Sequence, residues 1–353
     1  MANNPFNVMY GMIPTSIVAR EDSYERIRQD FESDGVLAMA YLIEGVRGSG
    51  KTVLLRSLCR HFSSEDSWIV VNAFPGEDII SSFAEGIYNQ MKAKKLISGW
   101  TLNLSLPYIS FSLQGEKEKL SPKISAEQFL KKAKENGKKV LLAIDDVVSN
   151  QAMATFAAFY QAMIGMDLPF FLLMSGTYEN VDALINGKAS SFLSRTPKVV
   201  LEPLDQITMS LAYQKYLNCN PAQAAALAAF TKGYAFAFQV VGKICFDEKK
   251  QELDEAAKTE IDNYLASNGY NVIWNHFTEA EKQIAIALAK SKDGDVRSIR
   301  ESVGMKDSNF ANYRARMIQK GYLTNNGYGK IAFALPRFAK FLPRAVPEAF
   351  ISH

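Results

Sequence analysis

One octapeptide constrains this chain more than any other feature. GVRGSGKT, residues 45–52, follows the apolar stretch VLAMAYLIEG and precedes TVLLRSLCRHF, in which Val53, Leu54, Leu58 and Phe62 recur at helical spacing. Strand, glycine-rich turn and helix form the context in which G-x-x-x-x-G-K-[S/T] is a phosphate loop rather than a chance turn. Gly45, Gly48 and Gly50 permit a backbone path that turns successive N–H groups toward an anion, and the following helix adds the positive end of its dipole. The segment Gly45, Val46, Arg47, Gly48, Ser49, Gly50, Lys51, Thr52 and Val53 is therefore expected to cradle the phosphates of ATP or ADP. In that arrangement Lys51 reaches the β- and γ-phosphates and the Thr52 hydroxyl holds Mg²⁺.

A phosphate loop of this kind needs an acid at the end of a neighbouring strand, and VLLAIDD supplies Asp145 for the metal with Asp146 beside it. Asp146 stands where a glutamate often polarises the attacking water, and it is shorter by one methylene, about 1.5 Å. Slow hydrolysis is the expectation. Ser175 and Thr177 close the next apolar strand and suit a polar sensor of γ-phosphate, although SGTYEN is also good turn sequence. Arg195 precedes the last apolar strand, where it either reaches a γ-phosphate, its own or a neighbouring subunit's, or is a plain surface arginine.

The rest of the amino-terminal half has the same rhythm. AREDSYERIRQDFES carries Tyr24, Ile27 and Phe31 on one helical face, and the apolar strands 67–74, 138–146, 169–177 and 198–204 alternate with helical sequence. Apolar strands alternating with helices predict an α/β fold with a five-stranded parallel sheet covered on both faces. TLNLSLPYISFSLQG interrupts it. Strict alternation around Pro107-Tyr108 predicts an inserted β-hairpin at about 100–114, which packs on the core or offers an apolar contact to a protein partner.

Composition excludes several other chemistries. At 353 residues, with 48% hydrophobic and 22% charged residues, the chain is neither disordered nor a mini-scaffold. Its longest apolar run, residues 36–43, is too short to span a bilayer, and the amino terminus lacks a secretory signal. A cytoplasmic protein with no membrane association is expected. Cys59, Cys219 and Cys245 are widely spaced and the histidines are only His61, His276 and His353, so neither a zinc site nor a Ser-His-Asp triad is indicated.

Residues 205–270 read as a helical domain, broken at NCNP (218–221) and TKGYA (231–235), and the pattern changes again after it. Thr278 and Glu281 form a capping box, VRSIRESVGM is a short second helix, and DSNFANYRARMIQKGYL is a third, with Phe310, Tyr313 and Met317 on one face. A hairpin around Asn326-Gly327 follows. Helix, helix, helix and hairpin make a winged helix-turn-helix, whose third helix would face double-stranded DNA with Asn309, Asn312 and Arg316. Arg314, Arg316, Lys320 and Lys330 would neutralise phosphates. Charge agrees: residues 273–353 hold 13 Lys+Arg against 7 Asp+Glu, and the remaining 272 residues hold 27 against 30. Protein interaction or autoinhibition is the competing use of such a domain.

These residues resemble the AAA+ ATPases, in the branch that joins origin-recognition initiators to the STAND signalling ATPases. The resemblance rests on Asn4-Pro5-Phe6, the AREDSYERI helix, GVRGSGKT, VLLAIDD, SGTYENV, SFLSRTPKVVLEPL, the helical lid and the terminal winged helix. It implies a P-loop core at 1–204, a lid at 205–270 and a winged-helix domain at 271–353. It maps Arg195 onto the box VII arginine and Ala19-Arg20-Glu21 onto a Gly-Arg-Glu of the adenine pocket, with Ala19 departing from glycine. Initiators carry a sensor-2 arginine on the lid, whereas GYAFAFQVVG (233–242) has none and shows the STAND Gly-x-Pro with its proline replaced by Ala235. The resemblance thus implies an ATP-binding, DNA-binding molecular switch that hydrolyses ATP slowly and forms a homo-oligomer when ATP-bound. Two rivals stand beside it: a STAND-like signalling or defence ATPase, and a transcription regulator that binds ATP without turnover.

Overall fold

A computed structural model describes residues 3–9, 13–33, 38–76, 78–97, 100–105, 108–113, 116–187 and 193–350. The chain divides into two compact units, one of residues 20–44 and 51–200, the other of residues 1–19, 45–50 and 201–353.

The first unit is built on five parallel strands: β1 (Ala40–Glu44), β2 (Trp68–Ala73), β6 (Lys139–Ile144), β7 (Phe170–Gly176) and β8 (Lys198–Val200), in the spatial order β2-β6-β7-β1-β8. Residues β3 (Trp100–Ser105), β4 (Tyr108–Leu113) and β5 (Glu116–Leu120) form a separate antiparallel sheet. The inner strands β1, β6 and β7 are almost wholly buried because both faces of the sheet are covered there, whereas edge strand β8 exposes Lys198 and Val200. On one face Tyr41, Trp68 and Phe171 meet Phe31 of α1 (Glu21–Glu32) and Phe62 of α2 (Lys51–Ser64). On the other, Leu42, Val71, Leu142 and Phe170 share a core with α3 (Ile79–Ala93), α4 (Pro122–Glu135) and α5 (Gln151–Gly165). Adjacent residues Phe170 and Phe171 thus point to opposite cores, as the two-residue period of a strand requires. The helix α6 (Tyr178–Ile185) follows β7.

β1 lies between β7 and β8, with its sequence successors β2 and β6 reached across β7. That is a topological switch point, and the crevice beyond the carboxyl ends of such strands is where parallel α/β sheets bind ligands. The register brings those ends level: Glu44 pairs with Gly176, and Ile144 with Met174.

The insertion contains the expected antiparallel pair, Trp100–Ser105 with Tyr108–Leu113, and extends it by a third strand, since Ile109–Leu113 of β4 pair also with Glu116–Leu120 of β5. The alternating charges of EKEKL concealed that strand, and Leu106 and Pro107 at the expected turn lie outside the described residues. The helical stripe after the phosphate loop consists of Leu54, Leu55, Leu58, Cys59 and Phe62, with Val53 only half-buried. Val36 and Leu37, part of the long apolar run, also lie outside the described residues.

The second unit holds α7 (Gln206–Leu217), α8 (Pro221–Thr231), α9 (Ala235–Asp247) and α10 (Glu255–Leu265), then a π-helical turn at Ala266–Tyr270 that runs into α11 (Asn271–His276). Next come α12 (Glu279–Lys290), α13 (Val296–Val303), α14 (Asp307–Gln319), the antiparallel pair β9 (Leu323–Asn325) and β10 (Ile331–Phe333), and α15 (Phe338–Ala345). The boundaries follow local chemistry. Asp205, Asp254, Thr278 and Asp295 cap helix amino termini with their side chains, and Asn220 does so in a capping box with Gln223. Asn218 and Lys232 end α7 and α8 in the left-handed conformation. One hydrophobic core runs from Phe6 and Phe238 through Tyr270 to Phe338 and Leu342, so the helical segment 205–270 and the segment 271–353 do not have separate cores.

No helix among the described residues is long and apolar enough to cross a membrane.

Candidate functional site

β1 delivers the chain to the phosphate loop from the middle of the sheet. Gly48 and Gly50 take φ of +79° and +96°, backbone conformations that L side chains rarely adopt. The Ser49 N–H donates to the Val46 carbonyl at 3.1 Å, closing the turn. Lys51 then opens α2 and is buried, with Thr52 half-buried beside it.

The loop's carbonyls are held from within its own compact unit. Tyr234 Oη donates to the Arg47 carbonyl at 2.8 Å, and the Phe236 N–H donates to the Gly48 carbonyl at 3.0 Å. Burial keeps the Tyr234 phenol far above its ordinary range, against a small opposing effect of Arg47, so it remains a neutral donor. Neither Tyr234 nor Phe236 was foreseen as a loop contact. The sequence signal was the absent sensor arginine in GYAFAFQVVG, which marked the place without saying what fills it.

At the carboxyl ends of β6 and β7, Ser175 Oγ donates to the Asp145 carboxylate and accepts from the Asp146 N–H at 3.4 Å. The Val147 N–H donates to the Ser175 carbonyl at 2.8 Å. Asp146 adopts φ +53°, a left-handed conformation that aspartate tolerates better than most residues. Asp145, Asp146 and Ser175 are therefore one hydrogen-bonded group. Thr177 has a different place: it is the N-cap of α6, its hydroxyl accepting from the Asn180 N–H at 3.4 Å. Of the two candidate sensors, Ser175 is the one that touches the acid pair.

Glu44, the last residue of β1, was not singled out by sequence. It is 4% exposed, and Lys198 stands 3.8 Å away. Burial raises its carboxyl above the usual range, opposed by Lys198 and Lys51 and reinforced by Asp182 and Glu179. Arg195 lies exposed in the short 3₁₀ turn Leu193–Arg195 before β8.

In the carboxy-terminal segment α12, α13, α14 and the β9–β10 pair follow the element order of a winged helix-turn-helix. Asn309, Asn312 and Arg316 are exposed on α14, spaced to share one face, and Arg314 is half-buried. Lys330 is half-buried, with its ammonium 3.0 Å from Asp293. Lys320 departs from expectation. It is 8% exposed, and its ammonium lies 2.8 Å from Glu281, which is fully buried. Lys320 ends α14 turned into the core, and its charge is matched there rather than offered to a phosphate.

A family model described as a domain of unknown function, DUF8462, matches residues 267–342, the segment of α11 to α15. No curated protein matches the chain. Among solved structures, the chain is similar to the Walker-type ATPase PABY2304 of Pyrococcus abyssi, at 15% identity and a TM-score of 0.64, over 92% of this chain and 96% of that one. It also matches Cdc6p from Pyrobaculum aerophilum at 11% identity and a TM-score of 0.49, over 98% of each chain. The Aeropyrum pernix Orc1 protein in complex with DNA matches at 14% identity and a TM-score of 0.42, over 96% and 95%. The strand order, the glycine loop after β1 and the likeness to the Pyrococcus abyssi protein define the fold as the P-loop ATPase fold of the AAA+ type.

Proposed function

We propose that the chain is an ATP-binding AAA+ ATPase that hydrolyses ATP slowly and uses its nucleotide state to control contact with double-stranded DNA. The observation that carries the reading is the GVRGSGKT loop between β1 and α2, with Gly48 and Gly50 in the left-handed region and Asp145 at the level end of β6. Gly45 to Val53 bind the nucleotide, and Lys51 supplies the cation for its phosphates. The donor set suits Mg²⁺, which is commonly held by one or two oxygen ligands of the protein together with the phosphates, here Thr52 and Asp145. Bound there, the metal would neutralise charge on the phosphate oxygens.

The chain's own residues do the rest. Ser175 holds the Asp145 carboxylate in place, and Asp146 accepts a proton from water, orienting it for attack. Its short side chain favours slow turnover. Thr177 adds to the γ-phosphate side through the α6 amino terminus that it caps. Exposed Arg195 serves a γ-phosphate in an ATP-bound homo-oligomer. The face of Asn309, Asn312 and Arg316, with Arg314 and Lys330 at its sides, meets DNA. The core 1–204, lid 205–270 and winged-helix domain 271–353 remain the functional divisions of a cytoplasmic protein.

A second reading is a STAND-like signalling or defence ATPase whose winged helix binds protein. The shared core of segments 205–270 and 271–353 favours it, because such packing suits a restrained module. Either reading leaves the inserted hairpin at about 100–114 to pack on the core or to offer an apolar contact to a protein partner.

The test is ATP turnover and fluorescent-ATP binding by the full chain, with and without duplex DNA, beside Lys51→Ala. Binding lost in Lys51→Ala together with DNA-stimulated turnover supports the DNA switch. Turnover indifferent to DNA moves the assignment to the protein-partnered switch, and undiminished binding by Lys51→Ala sinks the nucleotide site.

A further inference from the structure

A phosphate-binding loop works when its N–H groups converge on the anion, which requires its carbonyls to point away. Left to itself such a glycine-rich loop samples many conformations, and ordering it opposes binding. Here two consecutive carbonyls, of Arg47 and Gly48, are turned outward by the donors Tyr234 Oη and Phe236 N–H at the start of α9. The Gly48 position shows how close that approach is: an added Cβ would lie 2.4 Å from Tyr234 Oη. The lid therefore acts on the loop through neutral hydrogen bonds to its backbone, at the place where no arginine is available.

Tyr234 does not stand alone. It is 5% exposed, and its ring stacks on Tyr270 with centroids 6.3 Å apart and planes at 23°. Tyr270 is 1% exposed and belongs to the π-helical turn Ala266–Tyr270, an irregularity that marks functional joints more often than ordinary helix. Its hydroxyl donates to the Pro336 carbonyl at 2.5 Å, and its ring packs edge-on against Phe338 at 5.0 Å. Pro336 lies in the segment that joins β10 to α15, and Phe338 is the first residue of α15. An unbroken chain of contacts thus runs from the loop carbonyl through two buried phenols to the segment between the hairpin and α15. A second contact supports the link: Val46 of the loop packs on the same core, and a Cβ at Gly321, just beyond α14, would lie 3.5 Å from Val46 Cβ.

We propose that Tyr234 is a positioning residue that preorganises the phosphate loop, and that the Tyr234–Tyr270–Pro336 chain transmits loop occupancy to the hairpin and α15. The proposal rests on the nucleotide-binding reading above. It assigns the π-helical turn a purpose: a helix continuous in direction from α10 to α11 places Tyr270 between the loop's clamp and the hairpin.

The experiment uses the full chain with a fluorescent ATP analogue and Mg²⁺, together with amide hydrogen exchange with and without ATP. In the wild type, ATP should slow exchange at 45–52 and alter it at 331–342. Tyr234→Phe keeps the ring and removes one hydrogen bond, so affinity should fall about 3- to 10-fold, with a weakened response at 331–342. Tyr270→Phe should bind within about twofold of wild type and protect 45–52 normally, yet lose the response at 331–342. A simply structural role would lower melting temperature in both variants without separating affinity from the distant response. Tyr234→Phe with wild-type affinity and an intact response overturns the proposal alone, provided Lys51→Ala has lost binding. If the wild type fails to bind, or Lys51→Ala binds as the wild type does, the nucleotide reading fails first and this proposal with it.

Discussion

Ser175 Oγ donates a hydrogen bond to the carboxylate of Asp145 while accepting one from the backbone of Asp146, so a single hydroxyl on β7 fixes both acids at the end of β6. Groups that orient a metal-side carboxylate typically matter 10- to 100-fold for metal affinity or activity. Ser175→Ala should raise the Mg²⁺ concentration needed for half-maximal ATP turnover by about tenfold, with nucleotide affinity in EDTA unchanged. A magnesium titration of turnover checks this. An unmoved midpoint would mean that Asp145 does not depend on Ser175.

Gly48 and Gly76 form a matched pair for testing the loop. Gly48 has φ +79° and would place a Cβ 2.4 Å from Tyr234 Oη, whereas a Cβ at Gly76 meets nothing within 4 Å. Backbone strain of this kind costs about 1–3 kcal/mol before any clash is counted. Gly48→Ala should therefore weaken ATP binding at least about tenfold, and Gly76→Ala should change it by less than about twofold. Isothermal titration of both variants decides the matter, and equal affinities would show that the observed loop shape is not the binding shape.

The Glu281–Lys320 ion pair, at 2.8 Å with both side chains under 10% exposed, should dominate the acid sensitivity of the carboxy-terminal segment. Burial pushes the Glu281 carboxyl up, but hydrogen bonds from Lys320 and the Thr278 backbone outweigh it and leave it below its ordinary value of 4.5. A depressed carboxyl contributes stability that is present above its unfolded value and is lost as pH falls through its folded value. Glu281→Gln strands a buried ammonium and should cost about 3 kcal/mol at pH 7. That difference from wild type should shrink as pH falls below about 4.5, where the carboxylate of the unfolded chain begins to take up protons, and should level off once pH has passed the lower folded value. Denaturant unfolding across pH 3–7 provides the check, and a gap that stays constant with pH would rule out the ion pair as its source.

How much of this was legible in sequence depended on whether the signal was local. GVRGSGKT, the five apolar strands and the Thr278–Glu281 capping box are short-range patterns, and the structure places each in the element expected of it. β5 escaped because EKEKL is rich in residues that disfavour strands, and only pairing with β4 makes it one. Ser175 and Thr177 were equivalent in sequence, two hydroxyls at one strand end. Only the neighbouring strand distinguishes them, since Ser175 points at Asp145 and Thr177 caps α6. Tyr234 was beyond reach for the same reason: its partner, Arg47, lies 187 positions away.

Lys320 carries the sharpest consequence of that lesson, because its charge belongs in the sequence to a basic helix and in the structure to a buried pair. Each cation that neutralises a DNA phosphate contributes about 0.9 to the slope of log affinity against log salt. Arg316 is exposed on the face of Asn309 and Asn312 and, in the DNA-switch reading proposed above, would make such a contact. Arg316→Ala should weaken duplex binding and flatten the slope by about one unit. Lys320→Met should leave the slope as it is while lowering the unfolding midpoint, since it removes the partner of a buried carboxylate. Fluorescence anisotropy on duplex DNA from 50 to 300 mM salt, set beside melting curves of the same variants, separates the two effects. If Lys320→Met flattens the slope as much as Arg316→Ala does, the ammonium must leave Glu281 when DNA arrives, and the buried pair would be a state that DNA binding breaks.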